Sequence, residues 1–467
     1  MELAIVILAA GQGTRMKSDL PKVLHPLAGR PLVIYAVETA RALTAARPVL
    51  VVGRGAEAVR ETVGGGVVFV EQAEQRGTGH AVLQAREQLQ GQSDLVLVTY
   101  ADMPLLTAET LRRLVKQQQD NSGPITILTL VHENPRGFGR VIRDESSAVV
   151  RVVEEAVAAP EQLAIQELNA GVYCFDAGWL WLHVDRIPLS LPKQEYYLPD
   201  LIGMAVAEGL RVEAVVTEDA AEALGINTRV HLAEAGSVLR RRINKRWMLA
   251  GVTIVDPATT YIEPGVTIGR DTTIRPNTHL RGETTIGKDC HIGPNTIIVD
   301  CRIGNGCRVL ASVLEQAMME DGSDVGPFGH LRKGARLCKD AHMGNFGEAK
   351  NTTLGPGAKM GHFSYLGDAE VGAGANIGAG TITCNFDGVH KHKTVIEEGA
   401  FIGSDTMLVA PVRVGKGAKT GAGSVVTHDV PDGALAYGVP ARVRGDLGTR
   451  GQGDKGTRGQ EDRKTRR

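Results

Sequence analysis

The sequence predicts two unlike architectures in one chain: an α/β Rossmann-like domain and a parallel β-helix of hexapeptide repeats, joined by a helical arm. Three observations carry this. Short apolar runs alternate with longer amphipathic stretches up to about residue 228. From Gly251 onward, aliphatic residues recur at a spacing of six. The 467 residues include 57 glycines but only 4% aromatics, so part of the chain must be built without the bulky side chains of an ordinary core.

In the first region, 1–228, segments 4–10, 48–52, 95–99, 125–131 and 172–175 read as strands. Segments 32–45, 79–89 and 107–119 read as helices between them, the pattern of a sheet covered by helices on both faces. Residues 229–250 have no proline and a single glycine, Gly236, with Leu232, Val238, Leu239, Ile243, Trp247 and Leu249 set among arginines. They predict a connecting helix, with Arg240, Arg241 and Arg242 as its solvated face.

The second region, 251–446, carries the repeat. Ile268, Ile274, Leu280, Ile286, Ile292 and Ile298 are in strict register, and Val325, Leu331, Leu337 and Met343 follow after an irregular patch. Further sets are Leu354, Met360 and Leu366, then Val371 and Ile377, then Ile396, Ile402, Leu408 and Val414. One inward aliphatic per six residues, often followed by glycine, suits short strands that turn tightly and stack coil on coil. The register breaks at 305–324 and 385–394, which read as inserted loops of the kind that carry function in a solenoid. The stretch 447–467, almost without apolar side chains, reads as a disordered tail.

Charge and cysteine content narrow the function classes. A formal net charge of -1 gives no reason to expect nucleic acid as a partner, so anionic ligands must be held by local clusters. The apolar run 3–10 is far too short to span a bilayer and lacks the basic flank of a signal peptide, so no membrane insertion is expected. Six cysteines without C-x-x-C spacing suit free thiols in the cytoplasm.

The first candidate site is VILAAGQGTRMKSDLPK, residues 6–22. Gly11-Gln12-Gly13 follows the first strand, but position 16 is Met where a dinucleotide fingerprint needs a small residue, and no G-K-S/T ending marks a Walker loop. Arg15 and Lys22 follow instead, and two nearby cations suit a triphosphate better than a hydride donor. Taken alone, Asp102 would be no more than a turn aspartate before Met103-Pro104.

The blocks LAAGQGTRM with PK, QAEQRGTGHA (72–81), YADMPL (100–105), GFGR (137–140), VVEE (152–155), ELNAG (167–171) and INT (226–228) occur in the order seen in sugar-phosphate nucleotidyltransferases. Together with the hexads, nearly the whole chain short of the tail resembles the bacterial family of bifunctional N-acetylglucosamine-1-phosphate uridyltransferases and glucosamine-1-phosphate acetyltransferases. In that family the β-helix is left-handed. In uridylyl transfer the sugar phosphate is itself an ionised nucleophile, so the protein must position two anions and neutralise their repulsion.

For the uridyltransferase reaction the resemblance implies small-molecule substrates, with UTP held by Leu8, Ala9, Ala10 and Gly11 and its uracil read by Gln72, Gly77 and Thr78. Tyr100 and Ala101 would flank the nucleotide, Lys22 would bear on phosphate, and Arg15 would neutralise the leaving pyrophosphate. Asp102 and Asn227 would hold Mg²⁺, and Gly139, Glu154 and Asn169 would contact the sugar. Ala101 stands where the family usually has glycine, and a methyl group at that close backbone approach is expected to shift nucleotide affinity.

Acetyl transfer to an amine needs a base near a cation cluster, and the blocks LRKGA, GNFGEAK, GHFSYLGD and ANIGAG supply candidates. By resemblance His362 is the proton acceptor, oriented by Glu348. Arg332, Lys350, Tyr365 and Asn376 would hold the amino sugar phosphate, joined by Lys391 from the second register break. Ala379, Asn385, Phe386, Ser404 and Ala422 would contact acetyl-CoA, with Phe386 where the family often has tyrosine. The resemblance also implies a homotrimer through the β-helices, with acetyl sites between subunits. Two other readings stand beside this one: a nucleotidyltransferase whose β-helix is only a trimerisation scaffold, and a hexapeptide-type zinc carbonic anhydrase using His330, His342 and His362.

Overall fold

The computed structural model describes residues 1–133, 137–145, 147–155, 158–191 and 194–446, so the expected tail at 447–467 lies outside the described residues. The chain divides into two compact units, Met1–Arg242 and Ile243–Arg467, with the division inside the long helix Arg229–Leu249.

The first unit is built on a nine-stranded sheet. Its strands are β1 (Leu3–Leu8), β2 (Val49–Val52), β3 (Val68–Glu71), β4 (Leu95–Tyr100), β5 (Ile125–Val131), β6 (Arg140–Arg143), β7 (Val149–Val153), β8 (Glu167–Asp176) and β9 (Val212–Val216). The order is β9-β5-β8-β4-β1-β2-β3, with β6 paired to both β8 and β7. β1 lies parallel to β2 and β4, whereas β8 runs antiparallel to β4 and β5, so the sheet is mixed. Alternate residues of β1 feed two cores: Ile5 and Ile7 one, Ala4, Val6 and Leu8 the other, because helices cover both faces.

The helix Ala108–Asp120 shows how local chemistry fixes these elements. The Thr107 side chain accepts from the Thr110 amide at 3.2 Å, and Leu111, Leu114 and Val115 form the buried stripe. The helix expected at 79–89 is two pieces, Thr78–Leu83 and Arg86–Leu89. The arginine run is not wholly solvated: Arg242 donates to the Leu105 carbonyl at 2.6 Å and to Asp219 at 2.8 Å, since that face of the helix packs on the sheet domain.

The second unit is three sheets of short parallel strands, one ended by the antiparallel hairpin Ala434–Gly438 and Ala441–Asp446. This is the left-handed β-helix of hexapeptide repeats. Every hexad aliphatic from Ile268 to Val414 named above is buried, each contributing roughly 1.5–3 kcal/mol. The inward position two residues earlier is small: Thr272, Thr278, Thr284 and Cys290. Buried hydroxyls of the coils are mostly satisfied, as where Thr272 Oγ1 donates to the Gly287 carbonyl at 2.8 Å, although Thr394 Oγ1 has no partner.

The two register breaks are opposite in kind. Thr278 pairs with Thr296, 18 residues on, but Ile303 pairs with Met319, 16 residues on, so at 305–324 the coil contracts and the expected inserted loop is absent. Val309, Leu314 and Met319 keep the core filled there. At the second break Ile382 pairs with Met407, 25 residues on, and 385–393 leave the coil as a true insertion. All six cysteines are free, five of them buried.

Candidate functional site

In the first unit β1 and β4 are adjacent parallel strands whose connections diverge to opposite sides of the sheet, and a crevice opens where they end. It is a cavity of about 540 Å³ lined by Leu8, Ala9, Ala10, Gly11, Arg15, Lys22, Gln72, Gly77, Thr78, Tyr100 and Asp102. A second cavity of about 260 Å³ is lined by Gly139, Glu154, Asn169 and Asn227, and shares Thr78, Tyr100, Asp102 and Tyr197 with the first. Ala101 lines neither cavity, and its methyl is fully buried in the core.

Local backbone geometry explains the convergence. Gly13 has φ +65°, and a Cβ there would sit 2.7 Å from Lys22 Cβ, so only glycine lets the loop fold back and bring Lys22 under it. The Ile226 amide donates to the Asp102 carbonyl at 2.9 Å, tying the turn that bears Asn227 to the end of β4. As a result, Lys22 Nζ lies 2.5 Å from Asp102 Oδ2 and 3.1 Å from Asn227 Oδ1. Two hard oxygens therefore aim at one cationic point, a donor set that fits a divalent metal completed by substrate oxygens. Among the described residues, no group of three His, Cys, Asp or Glu side chains gathers to hold a metal by itself, the three histidines of the zinc reading included.

The rest of the crevice is held by loops. Gln72 Nε2 donates to the Gly77 carbonyl at 3.1 Å, and the Thr78 hydroxyl accepts from the Leu198 amide at 3.0 Å. Gln75, Glu195 and Tyr197 also line the first cavity, and the sequence reading did not single them out. Gln75 anchors the cradle itself, donating to the Ala10 carbonyl at 2.8 Å. Burial first, then the Asp102 and Glu154 charges, hold the Tyr100 phenol far above its ordinary range. Tyr197 is pushed up to about 12, by burial first and then by its bond to Glu195. Both phenols stay neutral donors at physiological pH.

In the second unit the expected residues fall into three groups. On one sheet Glu348 stacks beside Tyr365, and the next outward position carries Arg332 and then Lys350 on consecutive coils. Lys391, from the 385–393 insertion, stands close enough that its charge, with that of Arg332, lowers the Lys350 ammonium below the usual lysine range. A second group is a turn column: His362 corresponds to Ala379 one coil on, and backbone bonds link Ala379 to Asp405 and Ser404 to Gly423, next to Ala422. Asn376 belongs to a third position, on the sheet of Lys359 and Phe401, apart from Arg332, Lys350 and Tyr365.

One expected pairing is not formed. Glu348 bonds Arg332 Nη1 at 2.8 Å rather than orienting His362, because the strand ladder presents those two side chains on the same sheet while His362 sits exposed at the corner before it. Asn385, at the root of the insertion, donates to Asp368 at 2.6 Å, and Phe386 is exposed.

Comparison with known proteins agrees with both units. Residues 5–167 match the MobA-like NTP transferase domain, and 265–300 and 393–428 match the bacterial transferase hexapeptide model of six repeats. The bifunctional protein GlmU of Pelobacter propionicus is 49% identical over 437 residues, covering 93% of this chain and 95% of that one. Those of Geotalea uraniireducens and Geobacter metallireducens are each 47% identical, covering 93% and 95% of this chain and 96% and 98% of theirs. With both domains present and nearly the full length aligned, the chain belongs to the family of bifunctional GlmU proteins.

Proposed function

We propose that the larger N-terminal cavity takes UTP and the smaller takes N-acetylglucosamine-1-phosphate, with UMP passing between them at their shared wall. The observation that carries this reading is the Lys22, Asp102 and Asn227 cluster, with Asp102 lining both cavities. A sugar phosphate oxygen bonds to the α-phosphorus of UTP, the α–β bridge breaks, and pyrophosphate leaves. No proton needs to move, so the protein contributes alignment and charge. Lys22 neutralises phosphate, and Arg15, exposed at the rim, meets the leaving group. Gln72, Gly77 and Thr78 read the base, while Gly139, Glu154 and Asn169 seat the sugar. A divalent metal, Mg²⁺ in this reading, would be held by Asp102 and Asn227 and would supply charge neutralisation at the phosphates.

The C-terminal coils acetylate glucosamine-1-phosphate from acetyl-CoA. The amine attacks the thioester carbonyl, a C–N bond replaces the C–S bond, His362 takes the amine proton, and CoA leaves as thiolate. Arg332, Lys350 and Lys391 hold the phosphate, and Tyr365 and Asn376 hold the sugar. The separation of Asn376 from the cation group supports a site completed by a neighbouring subunit of a homotrimer. So do Phe328, Phe346 and Phe363, at one turn position on consecutive coils and each more than half exposed, with the first two rings stacked, a surface suited to coverage by another copy. No described helix is long and apolar enough to cross a membrane, and the soluble substrates suit the cytoplasm.

The test is a pair of assays on the full chain. Pyrophosphate release from UTP is expected with N-acetylglucosamine-1-phosphate and Mg²⁺, and CoA release from acetyl-CoA is expected with glucosamine-1-phosphate. Absence of the second activity alone would leave the scaffold reading, and absence of the first would remove the assignment of the crevice.

A further inference from the structure

Arg140 is a buried cation that the mechanism above does not use. Its side chain is 2% exposed, its Nη1 donates to the Phe138 carbonyl at 2.6 Å and to Glu155 Oε2 at 2.8 Å, and its Nε has no partner. A guanidinium enclosed with one N–H unsatisfied is costly, and a surface pair would be cheaper to build. The question is what this position holds in place.

The strand pairing answers it. The backbone of Arg140 pairs with Val153 on one side and Leu168 on the other. The neighbours of these three residues are Gly139, Glu154 and Asn169, the sugar-facing wall of the smaller cavity. The Asn169 amide donates to the Gly139 carbonyl at 2.8 Å, locking two of them directly. The side chain repeats the pattern from within: Phe138 precedes Gly139 and Glu155 follows Glu154, so one guanidinium ties down the far side of each.

We infer that Arg140 is a positioning residue for the sugar phosphate, clamping the Gly139 and Glu154 walls of its cavity at a fixed separation through Phe138 and Glu155. It touches neither substrate. Both bonds leave one nitrogen, Nη1, and the rigid guanidinium plane is what holds that nitrogen at a fixed point; a lysine ammonium on its flexible, shorter stem does not. The inference rests on the assignment of the smaller cavity to the sugar phosphate.

Steady-state uridylyl transfer by the full chain tests it, varying each substrate separately in the wild type, Arg140→Lys and Glu155→Gln. Glu155 is 45% exposed, so Glu155→Gln strips the charge from the outer half of the clamp and weakens its bond to Nη1 without opening the core. Both variants are expected to raise KM for N-acetylglucosamine-1-phosphate about tenfold, leave KM for UTP within about twofold, and leave acetyl transfer unchanged. An unchanged sugar KM in both, or equal rises in both KM values, overturns the inference. If the wild type shows no dependence on N-acetylglucosamine-1-phosphate, the assignment of the cavity itself has failed.

Discussion

In the N-terminal unit the residues expected at the site come from many separate segments, yet all but Ala101 line two adjoining cavities at the ends of β1 and β4. In the C-terminal unit they come from a few neighbouring coils, yet they stand on two sheets and a corner. A doubly wound sheet turns its loops toward one crevice, so sequence distance is erased within one chain. A solenoid points outward everywhere, so residues close in sequence diverge in space and a concave site needs a second surface. The two units differ in electrostatics as well. Burial is the leading cause of the shifts at Tyr100 and Tyr197, whereas neighbouring cations are the leading cause at Lys350.

The strongest way to break this comparison is at His362. As the proposed general base, its loss in His362→Ala is expected to slow CoA release by about 10²–10⁴-fold while uridylyl transfer stays at its wild-type rate. A His362→Ala protein with undiminished acetyl transfer would make the coils a scaffold. The reciprocal change, Asp102→Asn, keeps the shape but removes the charge facing Lys22 and the proposed metal position. It is expected to lower uridylyl transfer by about 10²–10³-fold and to spare acetylation, measured by pyrophosphate and CoA release on the same preparation. Equal loss of both activities would mean that the two sites are not independent.

Legibility from sequence followed the same divide. The hexads were readable because one inward aliphatic per six residues, such as Leu366 or Ile402, is a purely local demand of the fold. Asp102 and Asn227 were readable only through the family blocks around them, since nothing local distinguishes either from a turn residue. Glu195 and Tyr197 were missed because their place in the crevice depends on how Tyr196 bonds the backbone of Arg76 and Gly79, and Gln75 because its bond reaches back to Ala10, tertiary contacts without a local signature. The contraction at 305–324 was misread for a related reason: lost register looks the same whether a coil gains residues or drops two. The pairing of Glu348 with Arg332 depends on ladder register, which a list of motifs does not contain.

The smallest effect is a salt test of the electrostatic difference. Lys350 is lowered because Lys391 and Arg332 repel its charged form, so the repulsion is present while the ammonium is protonated and is relieved as pH rises through its folded pKa. Lys391 is exposed and Lys350 and Arg332 are partly so, and salt shortens the Debye length from about 10 Å at 0.1 M to about 3 Å at 1 M. Added salt should therefore raise the Lys350 pKa back toward the ordinary lysine value, as followed by NMR of selectively labelled lysine with Lys350→Arg to assign the signal. Tyr197, held up to about 12 chiefly by burial, should move less over the same range, as followed by alkaline phenolate absorbance against Tyr197→Phe. Burial does not respond to ionic strength and charge repulsion does. Equal salt shifts at the two residues would therefore mean that the crevice is as wet as the coils, and the contrast between an enclosed and an open site would fail.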